Sequence, residues 1–103
     1  MSGYVYILEN DSARNYIGSC VNPARRLHEH NGEHVTATAG RGPWRRTALL
    51  EFETPTLARQ AEAWLKKLHS PKYARLIIAG TFRWPEKFGA VRILEPASDK
   101  PSW

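Results

Sequence analysis

Several side chains in the first two thirds of the chain are of types that move protons or hold charge. Tyr6 closes the triplet Tyr4-Val5-Tyr6, and Tyr16 opens Tyr16-Ile17-Gly18. Arg26 follows, with His30 one helical turn later, and the i, i+4 spacing sets both on one helix face. Glu62 is followed by Lys66 at the same spacing. Phenols and imidazoles give and take protons, a guanidinium forks onto phosphate, and a carboxylate is a hard oxygen ligand for a cation.

The charge around these groups is uneven. The chain has 103 residues and carries 15 Lys+Arg against 10 Asp+Glu, for a formal net charge of +5. Residues 12–46 hold Arg14, Arg25, Arg26, Arg41, Arg45 and Arg46 against Glu29 and Glu33. Residues 54–80 hold Arg59, Lys66, Lys67, Lys72 and Arg75 against Glu62, and the acidic stretch 47–53 lies between the two. Converged on one face, such segments attract a polyanion by releasing its counterions. Arg25, Arg41, Arg45, Arg46, Lys66 and Lys67 are the candidate nucleic-acid contacts. Tyr16, Trp44, Trp64 and Tyr73 could stack on unpaired bases. Each residue also has an ordinary reading. Strand tyrosines pack, a basic helix face is solvated, and Glu62 with Lys66 makes a helical ion pair.

The elements that must position these groups are legible locally. Tyr4–Glu9 and Arg14–Cys20 read as two strands joined by polar residues, a hairpin. Asn22-Pro23 is a cap followed by the residue favoured at the first helical position, and Gly32 supplies a stop after Asn31. Residues 32–46 have no hydrophobic period and read as a loop; Thr47–Glu53 reads as the third strand. Thr54-Pro55 and Ser70-Pro71 repeat the cap-plus-proline device, the first before the stripe Leu57, Ala61, Leu65 and Leu68, the second before a helix ending near Gly80. The order ββαβαα implies an α+β fold, a small three-stranded antiparallel sheet flanked by helices. One domain is expected over residues 1–80. The extension, 81–103, is expected to pack in part and to fray from Pro96.

Parity constrains the hairpin. Side chains alternate across a strand, so both tyrosines share a site only if they point to one face. A four-residue loop would set Tyr6 opposite Ile17, the wrong parity. A loop of three or five residues, or a bulge, is therefore expected, pairing Tyr6 with Tyr16 or Gly18. Gly18 is then expected to leave an open patch for a phosphate or a bound water.

Other classes of protein are disfavoured. No apolar run approaches the roughly 18 residues of a spanning helix, and no basic-then-apolar leader opens the chain. Cys20 is the single cysteine, which excludes an internal disulfide and fits a reducing, cytoplasmic setting. His28, His30 and His34 invite a zinc reading, but the helical spacing of the first two turns them apart and no cysteine lies beside them. Cys20 reads as a small buried side chain, and Trp44 after Gly42-Pro43 reads as a packing anchor.

The ordered set YVY at 4–6, YIGS at 16–19, RRLHEH at 25–30, GPW at 42–44 and AEAWLKKL at 61–68 resembles the GIY-YIG nuclease family. The resemblance spans residues 3–80 and is closest to small stand-alone bacterial members. It implies that Tyr6, Tyr16, Gly18, Arg26, His30 and Glu62 lie at active-site positions. The implied activity is hydrolysis of a nucleic-acid phosphodiester, assisted by a single Mg²⁺ or Mn²⁺ on Glu62. Tyr16 is the implied general base, with Arg26 on the scissile phosphate and Tyr6 and His30 orienting water or relaying a proton. A phenol ionises near 10, so such a base needs cations beside it, and Arg26 and the metal are the candidates. The first triplet begins with Tyr4 rather than glycine, and Ser19 stands where some relatives carry lysine. The late asparagine of the family has no clear counterpart; Lys72 or Tyr73 occupies that region.

The function expected is a low-specificity DNA endonuclease favouring single-stranded, flapped or branched substrates, because no separate recognition module or groove-reading helix is evident. A protein partner or a homodimer is left open, and no membrane is expected. The alternatives are a nucleic-acid-binding or accessory module with weak catalysis, and a purely structural domain without salt-sensitive affinity for DNA.

Overall fold

The computed structural model describes residues 1–32, 39–68 and 71–95. The hairpin forms as β1, Gly3–Asn10, and β2, Asn15–Cys20. Asn10 builds the turn. Its backbone N–H donates to the Arg14 carbonyl at 3.1 Å, and its side-chain oxygen accepts from the backbone of Ser12 at 3.0 Å and of Arg14 at 2.9 Å. Three residues remain in the loop, and Ala13 closes it in the left-handed region with φ 61°. The register sets Tyr6 opposite Gly18 and Leu8 opposite Tyr16, as the parity argument requires.

Helix α1, Pro23–Asn31, begins where Asn22 accepts the Arg25 backbone N–H at 3.1 Å. Strand β3, Trp44–Phe52, starts three residues earlier than the sequence suggests, because Asn10 of β1 pairs with Trp44. Thr47 is the extra residue of a bulge, its hydroxyl donating to the Ile7 carbonyl at 3.2 Å. Helix α2, Pro55–Leu68, is capped by Thr54, whose hydroxyl accepts the Leu57 N–H at 3.1 Å. Helix α3, Pro71–Ala79, ends at Gly80 with φ 78°, where the Thr81 N–H reaches back to the Leu76 carbonyl at 3.0 Å. The proposed cap at Ser70 lies outside the described residues.

The sheet has four strands, not three. Val91–Glu95 forms β4 and pairs with β3, giving the order β2-β1-β3-β4. The physical reason is that β3 otherwise presents an unpaired edge. The segment leading to β4 also carries aromatic rings that find partners: Trp84 packs edge-on to Phe52 at 5.2 Å, and Phe88 meets Trp64 at 5.3 Å. Phe88 is buried in the same core as Val5, Ile7, Leu50 and Phe52. Residues 96–103, where fraying was expected, lie outside the described residues.

Alternation divides the sheet between two layers. Val5, Ile7, Ala48, Leu50 and Phe52 face α2 and α3, meeting Ala58, Ala61, Leu65, Ala74 and Ile77. Burial of each large apolar side chain there contributes about 1.5–3 kcal/mol. The opposite face carries Tyr6, Leu8, Trp44 and Leu49, with Leu27 of α1 and Tyr16 packed against them.

Candidate active site

The face covered by α1 assembles four of the candidate groups. Tyr6 points from β1 toward α1, and its Oη lies 2.8 Å from Nε2 of His30, which is fully buried. Arg26, one turn before His30, donates from Nε to the same Tyr6 oxygen at 3.3 Å. Tyr16 arrives from β2 on the same face, its ring 5.1 Å from His30 and 6.5 Å from Tyr6. Trp44 stands edge-on to Tyr16 at 6.5 Å and is pinned by Asn31, which accepts its N–H at 2.7 Å and donates to its carbonyl at 3.2 Å.

Burial sets the protonation of this cluster. The Tyr6 phenol is pushed up to about 12 by desolvation, against the pull of Arg26, so it holds its proton at neutrality. Desolvation, then the Arg26 charge, pushes His30 down, which favours the neutral imidazole. Glu29 clamps Arg26 from the other side, Nη1 to Oε1 at 3.1 Å, and also pairs with Arg25 at 3.1 Å. The Arg26 hydrogen bond holds the Glu29 carboxyl below the usual carboxylate range. Arg26 is thus fixed between a phenol and a carboxylate, with its side chain still 36% exposed to a substrate.

Glu62 comes from the other layer. It lies on α2, and its partners are Ser19 of the edge strand β2 and Lys66 of its own helix. Ser19, which by parity faces α2, donates its hydroxyl to Glu62 Oε1 at 2.6 Å. Lys66 donates to Oε2 at 2.6 Å, and the same ammonium stands 5.4 Å from the centre of the Tyr16 ring. Lys66 therefore links the carboxylate to the Tyr16 edge of the cluster. With 21% of its side chain exposed, Glu62 remains open to solvent.

Gly18 differs from expectation. The space above it is not an open patch, because the Tyr6 ring fills it. A Cβ at Gly18 would land on the phenol, 2.5 Å from Cζ. The glycine makes room for the Tyr6 ring rather than leaving an open patch.

The candidate nucleic-acid contacts divide into two groups. Arg25 and Lys66 flank the site; Arg25 lines a groove of about 240 Å³ with Ser19, Cys20, Asn22, Arg26 and Glu29. Lys66 lines a second groove with Arg14 and Asn15. Lys67, next to it on α2, borders a separate hollow beside Trp64. Arg45 instead pairs with Asp11 at 2.8 Å and Glu9 at 3.7 Å, near the hairpin. Arg46 forks onto Glu95 of β4, Nε to Oε1 at 2.8 Å and Nη2 to Oε2 at 3.1 Å. Arg41 is exposed, and its carbonyl accepts from Asn10 at 3.1 Å.

Burial raises the Cys20 thiol, which disfavours the thiolate and any nucleophilic role. Among the described residues no group of three or more His, Cys, Asp or Glu clusters to hold a metal, and His34 lies outside them. A hard divalent ion on Glu62 would take its remaining ligands from water and substrate oxygens, because Glu29, the other carboxylate nearby, is engaged by Arg25 and Arg26. The donor set fits that demand: one solvent-accessible carboxylate whose present partners are a hydroxyl and an ammonium. Sequence reasoning missed Glu29, Ser19 and Asn31 as parts of the site. The spacing of Glu29 to Arg25 and Arg26 was a usable signal; the partner of Ser19, 43 residues away, was not.

The curated relative UPF0213 protein BH0048 of Halalkalibacterium halodurans is 35% identical over 78 residues, covering 75% of this chain and 83% of its own. A solution NMR structure of UPF0213 protein BH0048 from Bacillus halodurans aligns with TM-score 0.48 at 35% identity, over 75% of this chain and 83% of that one. Residues 2–74 match the model of the GIY-YIG catalytic domain, a span that contains every group joined at the β2 edge. The chain belongs to the GIY-YIG family and carries its nuclease-type fold.

Proposed function

We propose that the protein is a metal-dependent endonuclease that hydrolyses DNA phosphodiesters with low sequence specificity, on single-stranded, flapped or branched substrates. The observation that carries this reading is the cluster of Tyr6, Tyr16, Arg26 and His30, with Lys66 standing between the Tyr16 ring and the Glu62 carboxylate. Proton donor and acceptor are distinguished by burial. Tyr6, buried and pushed up to about 12, keeps its proton and orients what it touches. Tyr16, half-buried on the edge strand with the Lys66 ammonium 5.4 Å from its ring, acts as a phenolate: its own proton goes to solvent first, and it then takes that of the attacking water. Arg26, held by Tyr6 and Glu29, offers a preorganised guanidinium to the scissile phosphate. Neutral His30 fixes the Tyr6 hydroxyl. A single Mg²⁺ or Mn²⁺ on Glu62 would supply charge neutralisation for the departing oxygen. Arg25 and Lys66 address phosphates rather than base edges, which supports binding without sequence reading.

A second reading, a nucleic-acid-binding module with weak catalysis, draws on the lack, among the described residues, of a group of three or more metal-ligating side chains and on the engagement of Glu62 by Lys66. Incubation of labelled single-stranded, duplex and branched DNA with Mg²⁺ or EDTA separates the two. The wild type should cut with Mg²⁺ only. Glu62→Ala, Arg26→Ala and Tyr16→Phe should bind and lose cleavage by about 10²-fold or more. Binding without any Mg²⁺-dependent cutting supports the module instead. Equal cutting of plain duplex and branched DNA removes the structural preference.

A further inference from the structure

Lys66 makes two contacts that no single role as a phosphate-binding side chain explains. Its ammonium is 2.6 Å from Oε2 of Glu62 and 5.4 Å from the centre of the Tyr16 ring, so it stands between the proposed metal ligand and the proposed base. Half of its side chain is exposed, 49%, against 21% for Glu62. Together with the Ser19 hydroxyl on Oε1, it occupies both oxygens of the carboxylate. We propose that Lys66 is an internal counter-cation that holds Glu62 in the metal-free protein and passes to the substrate phosphate when a divalent ion takes the carboxylate.

The physical argument is one of charge and reach. A divalent ion on Glu62 and an ammonium at hydrogen-bond distance from the same oxygen repel each other, so the two cannot share Oε2. Lysine is a point charge on a flexible four-carbon stem, and it leaves by rotamer change without moving α2. The groove it already lines also holds Arg14, a second cation toward which the released ammonium can turn to meet a phosphate. An arginine would resist this transfer, because its fork tends to engage a carboxylate through two donors. The carboxylate is never left without a cation partner, and the ammonium becomes available to substrate only after metal arrives. Metal and nucleic acid must then bind cooperatively, with reciprocal effect.

This inference rests on Glu62 as the metal ligand, and the experiment keeps the two claims apart. Mn²⁺ binding is measured by electron paramagnetic resonance without nucleic acid, for wild type, Lys66→Met, Glu62→Gln and the charge control Arg83→Met. Lys66→Met is expected to lower the Mn²⁺ dissociation constant at least about twofold, the strength of an exposed i, i+4 ion pair. Arg83→Met should match wild type, and Glu62→Gln should lose the site. In a second measurement, a fluorescein-labelled single-stranded oligonucleotide is titrated with Ca²⁺ or EDTA. Ca²⁺ should tighten wild-type binding more than it tightens binding by Lys66→Met. Unchanged or weaker Mn²⁺ affinity in Lys66→Met, with the site lost in Glu62→Gln, overturns the role of Lys66 alone. Mn²⁺ affinity that survives Glu62→Gln overturns the metal assignment and the proposal with it.

Discussion

Gly18→Ala tests the packing at the centre of the site. Gly18 lies in extended backbone in β2, where alanine ordinarily stabilises a strand by about 0.5–1 kcal/mol through reduced unfolded-state entropy. Here the added methyl would overlap the Tyr6 phenol, 2.5 Å from Cζ and 3.0 Å from Cε2. The ring is only 2% exposed, and moving it breaks the 2.8 Å bond to His30 and the 3.3 Å bond from Arg26. Overpacking costs about 1–3 kcal/mol and each lost hydrogen bond about 0.5–1.5 kcal/mol, so after the strand gain the net expectation is destabilisation by about 1–5 kcal/mol. Urea unfolding followed by tryptophan fluorescence reads it directly. A double-mutant cycle isolates the cause: in a Tyr6→Leu background, which removes the ring, the same substitution should be neutral or stabilising. A stabilising Gly18→Ala in the wild type, or an equal cost in both backgrounds, would refute the reasoning.

Three further outcomes are expected. The Tyr6 phenol holds its proton to about 12 in the folded protein, against about 10 for a phenol in the unfolded chain. Between those values the folded state binds the extra proton, so this contribution is complete below pH 10. It is lost as pH rises, by up to about 3 kcal/mol. Urea midpoints between pH 9 and 12 should fall more steeply for wild type than for Tyr6→Phe, and equal slopes would contradict this. Phe88→Ala should cost about 3–5 kcal/mol in one cooperative transition, because Phe88 is 3% exposed in the main core; a cost near zero would detach residues beyond 80 from it. Ala13→Gly should raise stability by about 0.5–1 kcal/mol, because Ala13 sits at φ 61°, and calorimetry showing no gain would argue against that turn.

Much of the frame was legible because its determinants are local. Asn22-Pro23 and Thr54-Pro55 start helices wherever they stand, because each cap satisfies N–H groups within its own first turn. The hairpin parity was equally accessible, since alternation along two adjoining strands leaves few registers that set Tyr6 and Tyr16 on one face. The candidate residues themselves stood out through the order of their motifs.

What remained hidden depends on pairs distant in sequence. The fourth strand exists because β3 offers an edge and Phe82, Trp84 and Phe88 find rings on α2 and β3, none of which a window around residue 91 contains. Arg46 looked like a nucleic-acid contact until β4 placed Glu95 against it. Gly18 looked like open space, and only the β1–β2 register shows that Tyr6 fills it.

The amino-acid sequence alone determined which chemical groups the protein owns, where its helices begin and which strand faces its tyrosines share, because those are matters of composition, capping and alternation. The tertiary structure decided that Ser19 of β2 donates to Glu62 and that Lys66, its helical neighbour, stands over the Tyr16 ring. Those contacts join β2 to α2 across more than 40 residues, and packing of the layers, rather than local propensity, brings them together.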